Sequence, residues 1–418
     1  MGFYKYIKTL GPGLLFASMA IGTSHLVLST KAGAQYGWIM IIPIVLANIL
    51  KYPFFEFGVR YTHVTKKTLI EGYLNLGRQY LWLYAIITLV STFTILAALY
   101  IVTAGLLVNL FELESLSLNL VSLGLFIFIS LLLIIGRYRL LENSLKIVIS
   151  LLFASLLVTT ILVLNKGQVA PIENFSAPTI FDEVGILFLI GLIGWMPTAV
   201  EASGWVSLWG AEKLKSMKKP PTLDEALNEF SLGYFLTAVL AIFFMIIGWK
   251  TLYGTGVELS GNAVLFADQL INLFTAHIGT WAYILIALAA FATMFSTCMT
   301  AHDAITRVSL DILDKLTDEN NSIFQDKKAF AVGIVAMAII NWTVIVLFSA
   351  NMGNLVALAT FVSFVFAPIL GWMNHKAITA EEIPSNSRPG KPLQLLSYLG
   401  ILFLSAFAAY YCWMGFFQ

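Results

Sequence analysis

Two short stretches of this chain combine helix-breaking residues with side chains able to hold an ion or a polar solute. After an opening Gly11-Pro12-Gly13, the first reads Ala20-Ile21-Gly22-Thr23-Ser24-His25; the second reads Gly191-Leu192-Ile193-Gly194-Trp195-Met196-Pro197-Thr198, with Glu201 close behind. Pro197 lacks a backbone donor and clashes with the preceding turn, while Gly22 and Gly194 leave helical geometry at little steric cost. Freed carbonyls accept from cations and freed amides donate to anions. His25 brings an imidazole nitrogen and Met196 a soft sulfur, a pairing that suits Mn, Fe or Zn better than Mg or Ca. Either residue can also be ordinary packing, and His25 can donate a hydrogen bond to an organic anion instead. Glu201 adds a carboxylate, a cation ligand or coupling site if the helix restarts at Thr198, where the helix dipole favours the ionised form. Thr198-Ala199-Val200-Glu201 equally fits a capping box.

Composition names the elements that must position these groups. The chain has 418 residues, 59% apolar and 11% charged, with a mean hydropathy of +0.86. Soluble domains carry about 25% charged residues, so this is a membrane protein and not a soluble enzyme. A net charge of +1 gives no basic face for nucleic acid. Cys298 and Cys412 sit in apolar runs, which supports packing over a disulfide or a cysteine zinc site. No phosphate-cradling Gly-Lys-Ser/Thr motif is present, so the sequence points away from ATP-driven transport, and it calls for no cofactor. Lys5 and Lys8 before an apolar run imitate a signal peptide, but the run continues to Ala34 and more follow.

Eleven segments are long enough for a membrane helix, which needs about 20 apolar residues: approximately 12–34, 39–60, 81–111, 117–136, 144–165, 184–209, 230–253, 275–301, 329–349, 353–374 and 395–416. The loops at 210–228 and 304–328 read as connectors. Sorted by loop, 20 of the 24 Lys and Arg residues fall on one side, among them Lys5, Lys8, Arg137, Arg139, Lys146, Lys218 and Lys219. Cytoplasmic loops hold such an excess, which places the N-terminus in the cytoplasm and the C-terminus outside a bacterial inner membrane. Residues 1–418 read as one multi-pass domain, and nothing demands more than a monomer.

The broken segments are spans one and six. Five spans apart, they cross in opposite directions, the arrangement of a five-plus-five inverted repeat whose interrupted helices mark a transporter's binding site. Repeat one would run over 12–165 and repeat two over 184–374, with 395–416 outside. Close helix packing is the other use of glycine in membranes. Span two adds Lys51, Glu56 and Arg60, and ionisable groups inside a membrane mark pathways or coupling sites. Glu56 and Arg60 are spaced to pair on one helix face. Lys51 is a fixed ammonium able to stand in for a coupling cation or to neutralise Glu56. In span eight Thr293, Ser296, Thr297 and Thr300 form a stripe suited to oxygen coordination or helix contact, followed by His302 and Asp303 as a gate or a loop anchor.

Gly11-Pro12-Gly13, the run Ala32-Gly33-Ala34-Gln35-Tyr36-Gly37-Trp38 and Thr65-Lys66-Lys67-Thr68-Leu69-Ile70-Glu71 together resemble the first two spans of the Nramp divalent-metal transporters. Met196-Pro197, Ser296-Thr297 and the span count extend the likeness. The resemblance implies an all-α integral membrane protein of LeuT-type fold, with broken helices one and six and an extra eleventh helix. The family's first-span Asp-Pro-Gly-Asn lines up with Gly22-Thr23-Ser24-His25, and its sixth-span Met-Pro-His with Met196-Pro197-Thr198. The carboxylate and the histidine of those motifs are absent here. The third-span acidic residues and the ninth-span basic residue have no counterpart, and a tenth-span glutamine is replaced near Thr360, beside Phe364 and Phe366.

The expected function is secondary transport of a divalent metal ion by alternating access. Gly22, Thr23, Ser24, His25, Met196, Thr198, Glu201 and Thr360 would surround the solute, with His25, Met196 and Glu201 as metal ligands. Lys51, Glu56, Arg60 and Asp303 are the coupling or gating candidates, and proton coupling is an analogy with the family. The alternative is a small amino acid or carboxylate held by half-helix amides, against a wall of Trp195, Trp205, Phe364 and Phe366. A non-transporting scaffold or sensor is a third reading.

Overall fold

The computed structural model describes residues 12–136, 138–217, 220–317 and 326–417. Lys5, Lys8, Gly11, Arg137, Lys218 and Lys219 lie outside the described residues, as do the side chains of Arg139, Lys146 and Cys412.

The chain is all-helical, and among the described residues there is no strand. A helix suits lipid because it bonds the backbone polar groups of a span within the segment itself. Span one is α1 (Pro12–Ala20), a break at Ile21–Gly22, a π-helical turn (Ser24–Ser29) and α2 (Thr30–Tyr36). Then come α3 (Ile41–Thr65), the short α4 (Leu69–Leu76), α5 (Arg78–Thr92), α6 (Ile95–Phe111), α7 (Leu118–Ile135) and α8 (Tyr138–Lys166). Span six is α9 (Glu183–Trp195) and α10 (Ala202–Ser216), and α11 is Leu223–Leu252. The remainder is α12 (Ala263–Ile278), α13 (Tyr283–Thr317), α14 (Lys327–Leu347), α15 (Met352–Thr379) and α16 (Lys391–Phe417). Eight described helical stretches are long and apolar enough to cross a bilayer.

Helix starts follow local chemistry. Ser117 and Asp182 cap α7 and α9 by accepting from Leu120 N and Gly185 N, and Thr222 with Glu225 forms a full capping box at α11. Each satisfies amides that a helix N-terminus leaves free.

Three expectations need correction. The segment 275–301 joins two elements: Gly279 turns at φ +121° between α12 and α13, so span eight starts at Tyr283 and runs on to Thr317, well into the stretch read as a connector from 304. The helix α12 was not anticipated, because Asp268, Gln269 and Asn272 interrupt its hydropathy. Finally, α10 starts at Ala202 with Glu201 as its N-cap residue and no side-chain cap bond, so the box from Thr198 to Glu201 is not made. Pro197 keeps the chain non-helical for longer than the sequence suggested.

The broken first span lies along α11. A Cβ on Gly13 would stand 2.3 Å from Glu229 O, and one on Gly33 only 1.9 Å from Met245 O. From the other side, a Cβ on Gly233 would meet Gly13 O at 2.2 Å and one on Gly248 would meet Thr30 O at 2.2 Å. Glycine at all four positions therefore lets both halves of the span approach α11 backbone to backbone, as small residues do in membrane helix packing.

Candidate functional site

The two breaks face each other. Ser24 Oγ lies 3.1 Å from Pro197 O, which links them directly, and also 3.2 Å from Ala20 O and 2.8 Å from His25 Nδ1. A hydroxyl carries one proton, so these acceptors are alternatives between which Ser24 can switch. From α13, Thr297 Oγ1 reaches Ser18 O and Ile21 O at 3.2 Å each, and Ser296 Oγ bonds Ser18 Oγ at 2.7 Å. Thr297 also has Thr293 O of its own helix at 3.1 Å, so its single proton can serve one of the carbonyls at the end of α1 at a time, while Thr293 and Thr300 bond back to their own helix.

Between the breaks lies a cavity of about 30 Å³, room for one or two water-sized particles. Gly22, Thr23, Ser24, Thr198 and Thr297 supply its polar lining. Trp195, Trp205, Ile95 and Leu99 are among its apolar walls.

The other expected site residues sit elsewhere. His25 is fully buried, but its Nε2 donates to Thr237 O of α11 (2.9 Å) and its Nδ1 faces Ser24 Oγ. Both nitrogens are thereby engaged. Met196, in a cis peptide with Pro197, is fully buried and does not line the cavity. Glu201 turns toward span three, where its Oε1 accepts from Ser91 Oγ (2.8 Å). Thr360 bonds back to Val356 O (2.8 Å) and packs on α9, close to where Cβ atoms on Gly191 and Gly194 would stand. His25, Met196 and Glu201 therefore do not converge on the cavity. Among the described residues no group of three or more His, Cys, Asp or Glu side chains is placed to hold a metal. Phe364 and Phe366 are likewise not part of the cavity wall.

Lys51 is fully buried and its Nζ donates to Ile193 O (3.0 Å), Gly194 O (2.8 Å) and Thr198 O (2.9 Å). Asp303 is inside α13, not in a loop; it accepts from Arg307 Nε at 2.9 Å and from Trp209 Nε1 at 3.2 Å. His302 is buried between Tyr100 Oη and Ile334 O. Cys298 is a free, buried thiol against Thr103 Oγ1. Ser91 and the Thr237 carbonyl were missed. The run Ser91-Thr92-Phe93-Thr94 inside an apolar span was a signal for Ser91; for a carbonyl on a featureless helix there was none.

Glu56 and Arg60 form a bidentate ion pair, and Arg60 Nη1 also donates to Ser387 O at 3.1 Å. Glu56 is buried, so removing its partner leaves an unpaired charge. Arg60→Ala is expected to cost about 3–5 kcal/mol of stability, and adding Glu56→Gln to recover most of it. Thermal midpoints of the single and double variants in detergent check this, and equal midpoints for the two would refute it.

Two helices broken side by side around a small cavity are the arrangement of the LeuT-type transporter fold. The chain belongs to the Nramp family: the family model described as natural resistance-associated macrophage protein-like matches residues 13–414. An uncharacterized protein of Pasteurella multocida (strain Pm70) is 32% identical over 412 residues, covering 97% of this chain and 92% of the relative. Among solved structures, a single-residue mutant of the Eremococcus coleocola manganese transporter superposes with a TM-score of 0.72 at 15% identity, over 97% of this chain and 86% of that one. MhsT in complex with L-phenylalanine gives a TM-score of 0.64 at 12% identity, over 95% of this chain and 98% of that one. At these identities the structural likeness establishes the fold.

Proposed function

We propose that the protein carries a divalent metal ion across a bacterial inner membrane by alternating access, with its N-terminus cytoplasmic and its C-terminus outside. The ion-sized cavity between the breaks carries the reading, and family membership supports it. Gly22, Thr23, Ser24, Thr198 and Thr297 are the groups proposed to meet the ion. They are oxygen donors, which suit Mn²⁺ or Mg²⁺ better than softer metals, so Zn²⁺ drops out of the expected substrates. Met196 and His25 then act behind the site, the histidine holding the first break against α11. Proton coupling remains an analogy, since the cavity has no carboxylate lining.

One observation favours a second reading. Lys51 places positive charge directly behind Thr198, which suits an anionic or zwitterionic solute and opposes a cation. Uptake into proteoliposomes separates the two. Saturable Mn²⁺ or Mg²⁺ uptake, competed by the other ion and not by amino acids, is the expected result. Uptake confined to amino acids or small carboxylic acids would transfer the function to the second reading. Absence of any flux would leave a scaffold or sensor.

A further inference from the structure

We propose that Lys51 is a built-in cation, whose tethered ammonium permanently fills the carbonyl site that a broken half-helix otherwise offers to an exchangeable coupling ion. This rests on the broken-helix site described above but not on the identity of the transported solute. In transporters with discontinuous helices, coupling cations sit on unwound carbonyls and at the C-terminal ends of half-helices. Ile193 and Gly194 supply carbonyls from the last turn of α9, and Thr198 supplies one from the break itself. An ammonium has three donors and no acceptor, so the three carbonyls match it completely. They also form the negative end of the half-helix dipole.

The charge comes from a different helix, α3, and cannot leave. A Cβ on Gly194 would stand 2.6 Å from Thr360 O, which shows how tightly α15 covers this end of α9. Glu201, at the start of α10, turns to Ser91 instead, so all three donors of the ammonium go to the carbonyls of the broken span. One residue connects the device to transport, because the Thr198 carbonyl is held by Lys51 while Thr198 also lines the cavity. The cycle then has no need of sodium or potassium.

Lys51→Ala in the full-length protein removes three carbons and the ammonium, a gap that matches n-propylammonium. The variant is expected to lose thermal stability and at least about tenfold in uptake, since charge-assisted bonds are the strong ones. Adding n-propylammonium should restore several-fold in uptake and raise the thermal midpoint of Lys51→Ala by mass action. Wild type and the volume-conserving Lys51→Met should not respond to the amine. Wild-type uptake should also be unchanged when choline replaces sodium and potassium. Sodium- or potassium-dependent wild-type uptake would overturn the proposal. So would a Lys51→Ala protein indistinguishable from wild type, or an amine effect that is absent or equal in all three proteins. The thermal readout needs no substrate, so failure to find metal uptake would count against the function proposed above and leave this result standing.

Discussion

Gly22→Val should reduce uptake by about 10- to 100-fold while leaving a folded protein. Gly22 lines the cavity, and a Cβ there would stand 2.9 Å from Thr297 Cγ2 and 3.3 Å from Thr297 Oγ1. The added methyls must enter a space of about 30 Å³, so they compete with the solute for its volume. Overpacking of this kind costs about 1–3 kcal/mol, and each 1.4 kcal/mol is a factor of about ten in rate. Thr297 must shift to admit the side chain, so the thermal midpoint should fall by the few degrees that overpacking of this size implies. Initial uptake rates in proteoliposomes, normalised to folded protein, check the expectation. A normal rate in Gly22→Val would show that the solute passes elsewhere.

Gly33→Val and Gly248→Val should each prevent normal folding. At both positions the obstacle is backbone: Met245 O at 1.9 Å from a Cβ on Gly33, and Thr30 O at 2.2 Å from one on Gly248. A neighbouring rotamer cannot resolve this; α2 and α11 would have to separate. That separation would also pull His25 away from Thr237 O, the bond that ties the middle of the first span to α11. The expected loss is at least about 3 kcal/mol, the upper part of the overpacking range. It should be visible as a collapse of the monodisperse fraction in size-exclusion chromatography and a fall in thermal midpoint. Wild-type behaviour of either variant would mean that the two helices do not meet at this distance.

Much of the architecture was legible in the residues. Lipid removes water as a partner for the backbone, so each span must announce itself as a long apolar run. The positions of Gly22, Gly194 and Pro197 then located both breaks to within a few residues. Where the chain was locally ambiguous the reading slipped. The polar face of α12 hid a helix, and the small residues around 275–301 concealed the turn at Gly279 that separates it from α13. The capping pattern at Thr198 was satisfied in type and spacing, yet Pro197 and the tertiary bonds around it hold that segment out of helical geometry.

The site was legible only in part. Gly22, Thr23, Ser24 and Thr198 could be assigned to the cavity because a break determines which residues lose helical partners. The roles of His25, Met196, Glu201 and Lys51 depend on where each long side chain points, and spacing along the chain does not contain that information. His25 turns to a carbonyl of α11, Glu201 to a serine of α5, and Lys51 reaches across from α3 to the end of α9. Sequence by itself determined a helical membrane protein with two opposed breaks, because periodicity, hydropathy and backbone stereochemistry are local. Only the tertiary structure decided which polar groups face the cavity and which serve as struts behind it. A buried hydrogen bond needs a partner within about 3 Å, and here those partners lie more than a hundred residues away.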